Sequence, residues 1–159
     1  MLTLPPELYV LLSSMLPIGE LRAGIPVGLL MGMSKEAAFF WAELGNILAI
    51  AVVLKVLEPF SGWLMKKSRW CEKKITKLFE HTRSKHSRKM EKMGEIFLVF
   101  IAAIPIPGTG GWTAALMAFL FGVPYMRALL LILGGNIICG LLITFGIAGA
   151  EQFMNVLSK

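Results

Sequence analysis

The chain has 159 residues, 56% of them hydrophobic, with a mean hydropathy of +0.70. That is too apolar for a water-soluble domain, so the composition points to one domain whose solvent is lipid. The net charge of +6 does not argue for nucleic acid: eleven of the sixteen Lys and Arg lie in residues 66–92, and no basic motif with stacking aromatics occurs elsewhere.

Residues 4–58 form the first unit. The first residues carry no Lys or Arg, and Pro5, Pro6 and Glu7 precede the apolar part, so no cleavable signal peptide is expected. Residues 8–15 are apolar and end at Pro17; residues 21–33 resume after the break. The arms give roughly 12–20 Å of helix at about 1.5 Å per residue, short of the roughly 30 Å hydrocarbon core. Two short arms with a Pro-Gly elbow favour a re-entrant hairpin with Pro17, Ile18, Gly19 and Glu20 at its tip. A kinked span crossing the whole membrane is the alternative. Residues 37–57 are long enough to span, and Glu58-Pro59 is expected to close them.

Residues 59–95 form a basic connector. Trp63/Leu64, Trp70/Cys71, Ile75 and Leu78/Phe79 recur every three to four residues, with Lys and Arg filling much of the gaps. This pattern predicts an amphipathic helix on anionic lipid head groups, with the stretch 81–92 reading as solvated linker. The positive-inside rule makes the connector cytoplasmic.

Residues 96–150 repeat the first unit, and a short tail, 151–159, follows. Residues 96–104 are a first arm, Pro105 to Gly111 the elbow, 112–121 a second arm, and 125–148 a second spanning helix. Pro17 matches Pro107, Gly32 matches Gly122, and Gly45-Asn46-Ile47 matches Gly135-Asn136-Ile137, all 90 residues apart. The expected fold is therefore an all-α membrane protein of two repeats, each a hairpin plus a transmembrane helix. Re-entrant hairpins make the repeats inverted, with both termini outside; fully crossing segments make them parallel. Broken hairpins used twice are the layout of a transporter whose site lies where the breaks meet.

Several side chains could carry chemistry there. Glu20 and Arg22 flank the first elbow in an apolar stretch, where a charge costs roughly 2.5–3.5 kcal/mol by insertion scales. They either lock the elbow as a salt bridge or work: Arg22 as a cation for an anionic, phosphate-like group, and Glu20 as a proton carrier. Glu43 and Asn46 lie one turn apart and share a face with Ala42, Gly45 and Ala49. Glu43 is a second proton-coupling candidate and would favour a cationic drug. Asn46 and Asn136 are substrate contacts or interhelical glue. Pro107, Gly108, Thr109, Gly110 and Gly111 open the second arm, where bare N–H groups and a half-helix N-terminus can hold an anion, with Thr109 as a cap. A tight elbow of small residues is the equally simple reading.

Catalysis is not expected. The chain has no Asp, and both histidines, His81 and His86, lie in the connector. Cys71 with them lacks a zinc spacing and a fourth ligand. Ser13 and Ser14 have no His to activate them. Cys71 and Cys139 belong at different depths and read as free thiols. No cofactor or metal is called for.

Leu16-Pro-Ile-Gly-Glu-Leu-Arg-Ala-Gly-Ile-Pro-Val-Gly28, the later Glu43-Leu-Gly-Asn46, and Ile104-Pro-Ile-Pro-Gly-Thr-Gly-Gly-Trp112 resemble the bacterial and archaeal "putative small multi-drug export protein" family over nearly the whole chain. The resemblance implies drug efflux. The layout is also similar to the wider DedA (VTT-domain) superfamily, whose members have two re-entrant hairpins and in some cases move polyprenyl-phosphate lipids. That likeness implies a proton-linked carboxylate at Glu20 and a phosphate-facing Arg22. This chain departs from it in having no Arg in its second elbow.

The expected function is thus a proton-coupled transporter of the inner membrane with a small-molecule or lipid substrate. One alternative is a flippase or scramblase for an anionic lipid. The other is a non-transporting scaffold acting through the basic connector. A homodimer would bury polar groups that about four short elements leave open.

Overall fold

The computed structural model describes residues 4–67, 76, 77, 80, 93–106 and 109–157, which are mostly helix and contain no strand. Helix α1, Pro6–Met15, starts on a proline, whose missing N–H is no loss in a first turn. It stops at Leu16, which is extended (φ −74°, ψ 137°) because the residue before Pro17 is barred from helical ψ. Helix α2, Glu20–Leu30, follows after residues 16–19. Helix α3, Lys35–Lys67, begins where the Ser34 hydroxyl accepts the Ala37 N–H at 3.2 Å.

The second half repeats these moves. A 3₁₀ turn, Gly94–Ile96, leads into α4, Phe97–Ala103, which ends at extended Ile104 before Pro105. Helix α5, Gly111–Leu120, and α6, Tyr125–Leu157, follow. The turn after the second arm is the same in both halves. Gly32 (φ 82°) and Gly122 (φ 68°) take the left-handed conformation that lets the last carbonyls of α2 and α5 be capped. Met33 N–H donates to Gly28 at 3.0 Å, and Val123 N–H donates to Ala118 at 2.9 Å.

Two expected boundaries move. Helix α3 runs through Glu58-Pro59 to Lys67. A proline removes one backbone bond and kinks a helix but need not end it, and the good helix formers Leu64, Met65, Lys66 and Lys67 carry the helix on. Helix α6 continues through most of the expected tail to Leu157, since no helix breaker follows Ala148 other than Gly149. The amphipathic helix expected in the connector falls almost wholly outside the described residues, as do Pro107 and Gly108.

Among the described residues, two helices are long and apolar enough to cross a membrane, Lys35–Leu57 and Tyr125–Gly149. The other four are 7 to 11 residues, or roughly 10–16 Å long at 1.5 Å per residue. Within each half, the two short helices pack on one another and on the long one; across the halves, α3 meets α6, α2 meets α6 and α5 meets α3. Many large apolar side chains face outward, among them Phe40, Val52, Leu130 and Phe145, as a lipid-facing surface requires.

Glycine sets the helix spacing. A Cβ on Gly45 would strike the Leu11 backbone, and one on Gly135 would lie 2.6 Å from Ala102 Cβ. The matched Gly-Asn pairs therefore press each long helix onto its own first arm and bury the asparagine beside it. Gly45→Val should push α1 off α3 and cost about 1–3 kcal/mol by overpacking, read as a lower melting temperature in detergent. Gly134→Val, where a Cβ meets nothing within 4 Å, is the control expected to melt like wild type.

Candidate functional site

The two elbows meet, and Glu20 makes the joint. Its backbone has φ 48°, an uncommon conformation for a residue with a side chain. Such strain costs about 1–3 kcal/mol and persists only where the surroundings hold it. Here the Glu20 N–H donates to Leu16 O at 3.0 Å and the side chain is buried. The carboxylate points across to α5, where Oε1 accepts the Trp112 N–H at 3.1 Å. The first half thereby caps the helix N-terminus of the second, placing a negative group at the partly positive end of α5. Gly110, the residue 90 positions after Glu20, is also left-handed (φ 116°), and a Cβ there would collide with the Glu20 carboxylate.

Arg22 ties the same joint from the next turn. Its Nη2 donates to Thr109 O at 2.9 Å and Ile104 O at 3.3 Å, and lies 3.6 Å from Glu20 Oε2. Thr109 turns back on its own elbow: its hydroxyl lies 2.8 Å from Ile104 O and 2.7 Å from Ile106 O, and it does not cap α5. The Gly110 N–H donates to Ile101 O at 2.9 Å. Of the two readings of Glu20 and Arg22, their geometry is that of an ion pair tying the elbows together. Both features expected to hold an anion, the guanidinium and the α5 N-terminus, are engaged by the chain itself.

Other buried polar atoms of the site lack partners. Glu43 is 9% exposed, and Asn46 and Asn136 are essentially fully buried. Among the described residues, both Glu43 carboxylate oxygens, both amide atoms of Asn46, and Asn136 Nδ2 have no hydrogen-bond partner; neither do Trp112 Nε1 and Arg22 Nε. Each such group carries a desolvation cost of about 1–3 kcal/mol, more for a charge, so a cluster of them marks a place that meets something else. Asn136 Nδ2 sits 3.2 Å from a Cβ position on Gly111, so the bare start of α5 lets the amide approach.

The candidate residues thus fall into a joint (Glu20, Arg22, Thr109, Gly110, Gly111) and an inner polar row (Glu43, Asn46, Asn136). The structure adds two groups. Trp112 supplies the N–H that Glu20 takes. Cys139 is buried on α6, with its thiol beside the Arg22 guanidinium and within electrostatic reach of Glu20 and Glu43. Its spacing of three from Asn136 puts it on the same helix face, a signal already present in the sequence.

A family model described as "Putative small multi-drug export protein" matches residues 20–142, which include both elbows from Glu20 onward and the whole inner row. No curated protein and no solved structure matches the chain.

Proposed function

The chain belongs to the small multi-drug export protein family, and from that membership we propose that it is a proton-coupled membrane transporter working by alternating access around the joint of its two elbows. The observation that carries this reading is the Glu20 carboxylate of one half seated on the α5 N-terminus of the other. Such a contact depends on the charge of one carboxyl, so proton uptake weakens the hold between the halves and proton release restores it. Glu43, unpartnered in the inner row, is the second carboxyl able to carry a proton across.

An inverted arrangement of the repeats supports the same reading. Phe39, early in α3, touches Gly140 in the second half of α6, whereas Ile50, later in α3, shares a core with Ala128 and Ile132 near the start of α6. Contacts in that order fit long helices running antiparallel. Short helix pairs then enter from opposite faces as re-entrant hairpins, and the connector's Lys and Arg put it on the cytoplasmic side of the inner membrane.

The test is uptake by proteoliposomes under an imposed pH gradient, across cationic and anionic drugs and a labelled polyprenyl phosphate. Wild type should move at least one class in a gradient-dependent way, and Glu20→Gln should lower that rate at least tenfold. Lipid movement without drug movement would instead favour the flippase reading. No response from any class would remove transport altogether.

A further inference from the structure

We propose that the substrate is a lipophilic organic cation, which docks in the groove between the start of α3 and the second half of α6 with its charged end held by Glu43 and Asn46. This deepens the transport reading and rests on it.

The groove has a volume of about 310 Å³ and is lined mainly by Phe39, Leu141, Phe145 and Ala148, with Thr144 as a polar member and Lys35 and Glu36 from the first turn of α3. Its size is at the small end of sites that take drug-sized ligands, roughly 300–1,000 Å³, and its lining suits an apolar body. Glu36, Phe39, Glu43 and Asn46 are spaced by three or four residues, so they share one face of α3. A ligand resting on Phe39 therefore has Glu43 as the next polar group inward along that face. Phe39 itself lies against the bare Gly140 of α6.

Charge decides the class. Glu43 is nine-tenths buried with both oxygens unpartnered, beside an Asn46 whose amide is fully buried and equally unpartnered. Among the described residues, the ionic groups around this region are Lys35 and Glu36 at the outer end of the groove, Arg22 and Glu20 from α2, which are engaged with one another and with the second elbow, and the Cys139 thiol on α6. Among the described residues no cation is paired with Glu43, and a buried carboxylate without a countercharge is among the costliest arrangements in a protein. A ligand cation removes that cost. An anion would find the α5 N-terminus filled by Glu20 and the Arg22 guanidinium bound to carbonyls.

The repeat supplies an internal comparison. A second groove of about 340 Å³ lies against Leu54, Phe119, Val123, Pro124 and Tyr125. Leu54 and Tyr125 stand 90 residues from Thr144 and Lys35 of the first groove, but the position matching Glu43 is Leu133. At this matched position the first half has a carboxylate and the second half a leucine.

The experiment is equilibrium binding of two probes of like size and opposite charge, tetraphenylphosphonium and tetraphenylborate, to the full chain in nanodiscs. Saturable binding of the phosphonium alone is expected. Glu43→Gln should weaken it at least tenfold, and Glu43→Asp, which keeps the charge, should restore most of it in protein of the same helix content. Leu141→Trp, filling the first groove, should also weaken it severalfold, whereas Val123→Trp in the second should not. Equal phosphonium affinity in wild type and Glu43→Gln, or saturable borate binding, would overturn the proposal. If phosphonium binding fails while another solute is still carried in proteoliposomes, this inference falls and transport stands. If binding holds while no solute is carried, the transport reading falls.

Discussion

Gly110→Ala is expected to abolish gradient-driven transport and to lower the melting temperature of the purified protein. Gly110 has φ 116° and ψ −171°, a region open in practice only to glycine, so alanine alone costs about 1–3 kcal/mol. The added methyl would also fall on the Glu20 carboxylate. That carboxylate has nowhere to retreat, being 4% exposed and held by the Trp112 N–H and Arg22. The two residues should therefore be coupled in a double-mutant cycle. Glu20→Gly removes the obstructing side chain and relieves its own left-handed backbone, at the loss of a charge-assisted hydrogen bond of about 1.5–3 kcal/mol. The double variant should then melt above the sum of the two losses. Additive losses, or a Gly110→Ala protein that melts and transports like wild type, would mean that Glu20 is not seated at the start of α5.

Much of the fold is legible in the pattern of breaks. Pro17 and Pro105 end the first arms for a local reason, the steric exclusion of helical ψ in the residue before proline, and local reasons can be read from a sequence. Gly32 and Gly122 are legible on the same terms, since a helix end followed by a turn calls for left-handed backbone. Pro59 misleads because a helix interior can absorb one lost hydrogen bond, and how far the helix resumes depends on the residues beyond. The site is legible as a set of residues but not as a set of contacts. Glu20 and Arg22 are conspicuous as charges in an apolar stretch. Their partners are backbone groups more than eighty residues away, Trp112 N–H and the carbonyls of Ile104 and Thr109. No side-chain pattern announces a backbone partner, so Arg22 reads equally well as a tie or as a ligand-binding cation until the packing is known. Glycine at 110 carries the missing information in retrospect: it stands where the repeat has glutamate, and the glutamate's own carboxylate fills the space a side chain there would need.

Those two roles for Arg22 predict opposite results for one conservative change. As a tie, Arg22 makes its contacts to the described residues of the second elbow and to Glu20 through Nη2, while Nε has no hydrogen-bond partner. A lysine ammonium is one nitrogen with three donors, so it can meet the same three oxygens and leaves no buried Nε unsatisfied. As a fork for a phosphate, Arg22 would depend on two parallel N–H groups, which lysine cannot supply. Arg22→Ala is expected to be severe in either case. It strands the Glu20 carboxylate and exposes two carbonyls of the second elbow, and breaking a buried ion pair from one side costs about 3–5 kcal/mol. Arg22→Lys is expected to recover most of the melting temperature and of the transport rate lost in Arg22→Ala. A lysine variant that regains stability but no transport would return Arg22 to the role of a ligand-binding cation, and with it the case for an anionic substrate.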